Sequence, residues 1–68
     1  MAVIKVIEVI GTSEKSWEDA VQNALARASK TVRNITGIDV LGFKCVIKNN
    51  KIVEYRANLK IAFVVEEK

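Results

Sequence analysis

From Lys51 to Glu66 the residues alternate almost without a break. Val53, Tyr55, Ala57, Leu59, Ile61, Phe63 and Val65 fall on one face, and Ile52, Glu54, Arg56, Asn58, Lys60, Ala62, Val64 and Glu66 fall on the other. A period of two sustained this long predicts a single half-buried β-strand. At about 3.3 Å per residue it would run to roughly 50 Å, where an ordinary strand spans about 17–20 Å. A chain of 68 residues has too little other material to cover both faces and both edges of such a strand. Other subunits are expected to do the covering, and the function is expected to belong to the assembly.

Composition points the same way. The chain, residues 1–68, is read as a single domain. It is 50 % hydrophobic, yet chains this short bury only about 60 % of their unfolded surface and are marginal alone. Small domains add disulfides, a metal or oligomerisation. One cysteine, Cys45, excludes an internal disulfide. The absence of His and of a Cys pair excludes the usual structural zinc sites. Self-association is the remedy left. An unpaired Cys suits a reducing compartment, so the expected location is the cytoplasm. The apolar start is broken by Lys5 and Glu8 and lacks a small-residue cleavage site, so it does not read as a signal peptide. No apolar run is long enough to span a bilayer. A net charge of +3 permits an anionic ligand but does not indicate nucleic acid.

The expected elements follow in the order β-α-β-β. Residues 2–10 form a strand apolar on both faces, Val3, Ile7 and Val9 with Lys5 on one and Ile4, Val6 and Ile10 with Glu8 on the other. Such a strand is normally covered on both sides. Gly11-Thr12-Ser13 reads as a turn. Ser16 reads as the N-cap of a helix, with Asp19 three residues on as a short capping-box acid and Glu18 beside it at the positive end of the dipole. Trp17, Ala20, Val21, Ala24, Leu25, Ala28, Val32 and Ile35 recur at three- and four-residue spacing, which predicts a helix to about Ile35. Ala20, Ala24 and Ala28 would let it lie close to a sheet. Thr36-Gly37 would end it, with Gly37 as a left-handed cap. Ile38 to Lys48 is the second strand, with Leu41, Phe43, Cys45 and Ile47 on its apolar face and Val40, Gly42, Lys44, Val46 and Lys48 opposite. Asn49-Asn50 turns the hairpin, since Asn tolerates positive φ. The fold class expected is α+β, a hairpin and a third strand clasping one helix.

The chemistry available is limited. Without His, neither a Ser-His-Asp nor a Cys-His arrangement exists in one chain, and no enzyme is expected. Cys45 reads as a small buried hydrophobe. Gly11-Thr12-Ser13 lacks the lysine of a P-loop. Trp17, the only Trp, reads first as a side chain that packs over an interface or staples the helix start, and second as a plate for a ring ligand. The sheet face away from the helix carries Lys44, Glu54, Arg56, Asn58 and Lys60 among Val40, Val46, Ala62 and Val64. A mixed apolar and cationic surface suits a subunit contact or a planar anionic ligand. Glu8, Asp39, Glu54, Glu66 and Glu67 show no EF-hand spacing, so calcium or magnesium would need carboxylates gathered across subunits.

Four segments together resemble the dodecins: Val6-Ile7-Glu8-Val9-Ile10-Gly11-Thr12-Ser13, Ser16-Trp17-Glu18-Asp19-Ala20, Ala24-Leu25-Ala26-Arg27-Ala28 with Thr31-Val32-Arg33-Asn34, and Leu59-Lys60-Ile61-Ala62-Phe63. The likeness covers about residues 3–66. It implies a hollow homododecamer of near-spherical shape built from trimers, in which a three-stranded antiparallel sheet wraps around one helix per subunit. It implies storage or sequestration of a small ligand, not catalysis. Flavin-binding members hold isoalloxazine rings in pairs at two-fold interfaces, with a Trp just after the helix stacking on the ring, a Gln on the last strand at the pyrimidine edge and an Arg on the second strand nearby. Here those positions are Gly37, Arg56 and Lys44. Gly37 offers no ring. Arg56 has donors only and cannot supply the acceptor that Gln offers. Lys44 is a point charge and not a planar fork. Binding of FMN or riboflavin is therefore expected to be weak or absent. The alternatives are a flavin-free structural assembly and a divalent-cation binder like the calcium-binding dodecins. For the latter Glu8 is the candidate ligand, since it lies on a strand otherwise apolar on both faces; its competing role is an inter-subunit salt bridge with Lys5 or Lys60.

Overall fold

The order along the chain is β1 (Val3–Ser13), α1 (Trp17–Ala28), β2 (Ile35–Lys48) and β3 (Lys51–Val65), in a computed structural model that describes residues 3–65. Ala2 and Glu66, expected at strand ends, and the acidic Glu67 lie outside the described residues. The long alternating segment is the centre of the sheet. β3 pairs antiparallel with β1 on one side and with β2 on the other. Asn49 and Asn50 take φ of 51° and 62°, the two left-handed residues of a type I′ hairpin turn.

The helix packs on the face that carries Ala57 and Leu59, both fully buried with Ala20, and Val9, Val21, Ala24 and Ile38 close around them. The small side chains bring the helix backbone onto the sheet. At Gly11 a Cβ would stand 2.2 Å from the Ala20 carbonyl oxygen and 3.0 Å from the Ala24 Cβ. This glycine is required by close approach, not by a turn. Gly11, Thr12 and Ser13 continue β1, paired with Ala57, Arg56 and Tyr55. Gly11→Ala is expected to push the helix off the sheet and to cost about 1–3 kcal/mol. A chemical melt unchanged by the substitution would contradict that packing.

The helix is shorter than its apolar spacing predicts. It ends at Ala28, with Ser29 as C-cap, and one further turn carries Val32 N–H to the Ala28 carbonyl at 2.8 Å. Val32 and Ile35 continue the three-and-four spacing by coincidence. Asn34 takes φ of 63° and turns the chain, and Ile35 enters β2 opposite Phe63. The far end of β3 needs a second partner strand, and the β-branched Ile35 and Thr36 suit one better than they suit a helix. Gly37 is therefore not a helix cap. It lies in β2 opposite Ala62, its φ is not positive, and a Cβ there would meet nothing within 4 Å.

β2 is also less regular than alternation predicts. Its register against β3 slips between Ile35 and Gly37, between Val40 and Gly42, and between Val46 and Ile47. The second slip moves Val40 to the helix side, opposite Leu59, although strict alternation assigns it to the other face. Leu41 is the extra residue there, and it lines a hollow with Glu8, Ile10 and Asn58. The third slip puts Ile47 and Ile52 on one rung, although alternation assigns them to opposite faces.

The chain is long and thin, 53 × 20 × 13 Å, with a radius of gyration of 14.0 Å where a compact domain of this length would have about 11 Å. Its accessible surface is 5411 Å², against about 4300 Å² for a compact monomer of this mass. Apolar side chains are exposed on both sides of the sheet. Ile4, Val6, Ile10 and Leu41 stand open away from the helix, and Val40 and Phe43 stand open beside it.

Candidate functional site

The Gly11-Thr12-Ser13…Ser16-Trp17 segment is structural throughout. Ser16 Oγ accepts from Asp19 N–H at 3.0 Å, as expected of the N-cap. Ser13, buried beneath the helix start, donates from its Oγ to Asp19 Oδ2 at 2.7 Å and accepts from Lys15 N–H at 2.9 Å. Asn23 Nδ2 donates to the Thr12 carbonyl at 3.0 Å. Trp17 donates from Nε1 to the Lys44 carbonyl at 3.1 Å, with its ring edge-on to Tyr55 at 5.1 Å and tilted on Phe43 at 5.6 Å. These contacts fasten the first helical turn to the β2–β3 hairpin. Trp17 thus staples the helix start, as the first sequence reading expected, with Tyr55 and Phe43 against its ring and 37 % of the residue still exposed.

The opposite face of the sheet holds Gly37, Lys44, Arg56 and Glu8, the positions weighed for a flavin or a cation. Cross-strand partners share a rung and therefore a face. Thr12, Arg56 and Lys44 form one rung, and Glu8, Lys60 and Asp39 form another. Gly37 shares its rung with Ala62. Lys44 and Arg56 are therefore side by side, but Gly37 is far from both, since the six residues from Arg56 to Ala62 span about 20 Å. One chain does not bring the three together. A ligand touching all of them would have to lie between two copies. Nor do the residues fit a flavin ring: Gly37 supplies no plate, and Arg56 is turned along its own strand to Glu54, Nε to Oε1 at 2.6 Å.

Glu8 faces Lys60 across the rung, with Asp39 on the far side of that lysine. Lys5 is on the helix side of the sheet, opposite Phe63, so within the chain it is no partner for Glu8. Among the described residues no three Cys, Asp or Glu side chains gather closely enough to hold a metal ion. Cys45 is half-buried on the helix side, opposite Tyr55. Asn58, named from the sequence only as one of the polar residues of the face away from the helix, has its Oδ1 buried with no hydrogen-bond partner. Its place among the polar residues of β3 was visible, but not the hollow it lines with Glu8, Ile10 and Leu41. No helix among the described residues is long and apolar enough to cross a membrane.

Together these features define a class of small α+β subunits whose central strand outruns the cover their own helix provides. The chain belongs to the dodecin family, whose model, described as Dodecin, matches residues 3–66. A dodecin of Thermus thermophilus is 40 % identical over 65 residues, covering 96 % of this chain and 94 % of that protein. The calcium dodecin of Mycobacterium tuberculosis is 36 % identical over 63 residues, covering 93 % and 89 %. Among solved structures, a Thermus thermophilus protein matches with a TM-score of 0.94 at 38 % identity over 100 % of both chains. The crystal structure of the calcium dodecin, described as calcium chelating with a novel calcium-binding site, matches with a TM-score of 0.84 at 33 % identity over 97 % and 94 % of the two chains.

Proposed function

We propose that this chain is the subunit of a hollow homododecamer that stores or sequesters a small ligand in the cytoplasm, without catalysing a reaction. The observation that carries the reading is the uncovered sheet: apolar residues stand exposed on both faces of a chain with about a quarter more surface than a compact monomer. Patches of this kind mark contact surfaces. The number twelve comes from the family resemblance. So does the flavin-type ligand, and here the ligand positions are degraded, with Gly37 in place of Trp, Arg56 in place of Gln and Lys44 in place of Arg.

A second reading, a calcium or magnesium site, is favoured by the 36 % identical relative named calcium dodecin. Here Glu8 and Asp39 flank Lys60, so one chain presents two carboxylates on one face with a cation between them. A metal would need carboxylates from more than one copy.

Titration of the purified protein with riboflavin, FMN and calcium, read by flavin fluorescence and calorimetry, separates these readings. The expected result is a colourless protein with no nanomolar riboflavin site. Tight riboflavin binding by the unmodified protein would show that another group has taken the stacking role. Calcium binding abolished by Glu8→Gln would replace the flavin-type reading with the cation one.

A further inference from the structure

Glu8, Ile10, Leu41 and Asn58 line a hollow of about 320 Å³. Ile10 and Asn58 share a rung with Gly42, and Glu8 stands two residues along β1 on the same face. Both polar groups lack a partner. Asn58 Oδ1 is buried without a hydrogen bond, and its cross-strand neighbours, Ile10 and Gly42, have no side-chain donor to offer it. Among the described residues no ion pair or side-chain hydrogen bond engages the Glu8 carboxylate, although Lys60 lies opposite it. A buried acceptor without a donor costs free energy, and in a folded protein such a group calls for an explanation.

We propose that this hollow binds a primary alkylammonium ion, with the Glu8 carboxylate and Asn58 Oδ1 accepting from its N–H groups and the alkyl chain laid against Ile10 and Leu41. A carboxylate and an amide oxygen both accept, and a primary ammonium carries three donors and no acceptor, so the two sides match in kind. Hydrogen bonds between ionised groups are also the strong ones. Calcium suits the hollow less. It takes about six to eight oxygens, and among the described residues no three Cys, Asp or Glu side chains gather to hold a metal ion. The rest of the lining fits an organic ion, since small-molecule sites are mainly apolar with a few polar groups that fix orientation. Ile10 and Leu41 expose enough apolar surface to receive a short alkyl chain. The proposal goes beyond the flavin-type and calcium readings, because it needs neither an aromatic plate nor a second carboxylate. The whole hollow belongs to one chain, so it does not rest on the assembly either. A second copy laid over this face would exclude water and strengthen the pull of Glu8 on the cation.

The test is calorimetric titration with n-butylammonium chloride at about pH 7, where a primary amine is protonated, with tetramethylammonium chloride and calcium chloride run in parallel at the same ionic strength. Wild type should bind butylammonium saturably. Tetramethylammonium, which has the charge but no N–H, should not bind. Glu8→Gln should weaken butylammonium binding about tenfold or more, and Glu14→Gln, an exposed acid in the bend after β1, should leave it unchanged. Asn58→Leu should also weaken binding, yet melt at the same temperature or higher, because it replaces an unpartnered buried acceptor with an apolar group of similar size. A wild-type protein that binds no butylammonium, as expected of a hollow holding only water, overturns the proposal. So does an Asn58→Leu or Glu8→Gln variant that binds as well as wild type. Tetramethylammonium binding as tight, or equal weakening by Glu14→Gln, also overturns it, since either would mean only diffuse attraction to carboxylates. Calcium binding that Glu8→Gln abolishes, in a protein that takes no butylammonium, would assign the carboxylate to a metal instead.

Discussion

Sedimentation or mass photometry at micromolar concentration should give one species near twelve times the chain mass of 7.6 kDa. A stable, well-folded monomer would contradict the assembly. The decisive variant is Ile10→Asp. Ile10 is 58 % exposed in the single chain and lies on the sheet face away from the helix, so the change places no strain on the subunit's own core. In an assembly that covers this face, each subunit would instead bury an unpaired carboxylate, a penalty of several kcal/mol per site. The expected outcome is loss of the large species. The helical signal should fall with it if the free subunit is as marginal as its size suggests. An intact large species in Ile10→Asp would mean that this face is not a contact.

Restoring Gly37→Trp together with Arg56→Gln should recover riboflavin binding and quench flavin fluorescence. Ring stacking of this type is worth about 1–3 kcal/mol, or roughly 5- to 150-fold in affinity. The Gln adds an acceptor that Arg56 lacks and removes a cation from the rung. Gly37 accepts the Trp without backbone strain, because its φ is not positive and a Cβ there meets open space. Gly37→Trp alone should therefore melt close to wild type, where a left-handed cap would have been strained. The two positions are about 20 Å apart along one sheet, so recovery also requires a second copy laid antiparallel across the face. A double variant that assembles fully yet leaves riboflavin fluorescence unchanged would show that the copies do not bring these positions together.

The polar face of the sheet was legible in outline. Alternation in β3 placed Arg56, Asn58 and Lys60 on the side away from the helix, and the structure keeps them there. The pairing of Glu8 with Lys60 puts Glu8 on the same side, which alternation within β1 alone did not decide. Period two is a local property of an extended chain, and a strand buried on one face holds it because a one-residue slip would turn every apolar side chain outward. The N-cap at Ser16 and the hairpin at Asn49-Asn50 were legible for the same reason: each depends on a few adjacent residues and their own backbone preferences.

The misreadings all lie where two distant segments compete. The end of the helix, the place of Gly37 and the side taken by Val40 depend on how β2 pairs with β3. No residue near Gly37 announces that Ile35 will find Phe63, or that Leu41 will bulge and turn Val40 toward the helix. By itself the sequence determined the element order and the long central strand, because these follow from local periodicity. Only the tertiary structure decided which residues share a rung. That set Lys44 beside Arg56, Glu8 and Asp39 on either side of Lys60, and Gly37 far from all of them, because register is fixed by pairing across the sheet and not by neighbours along the chain.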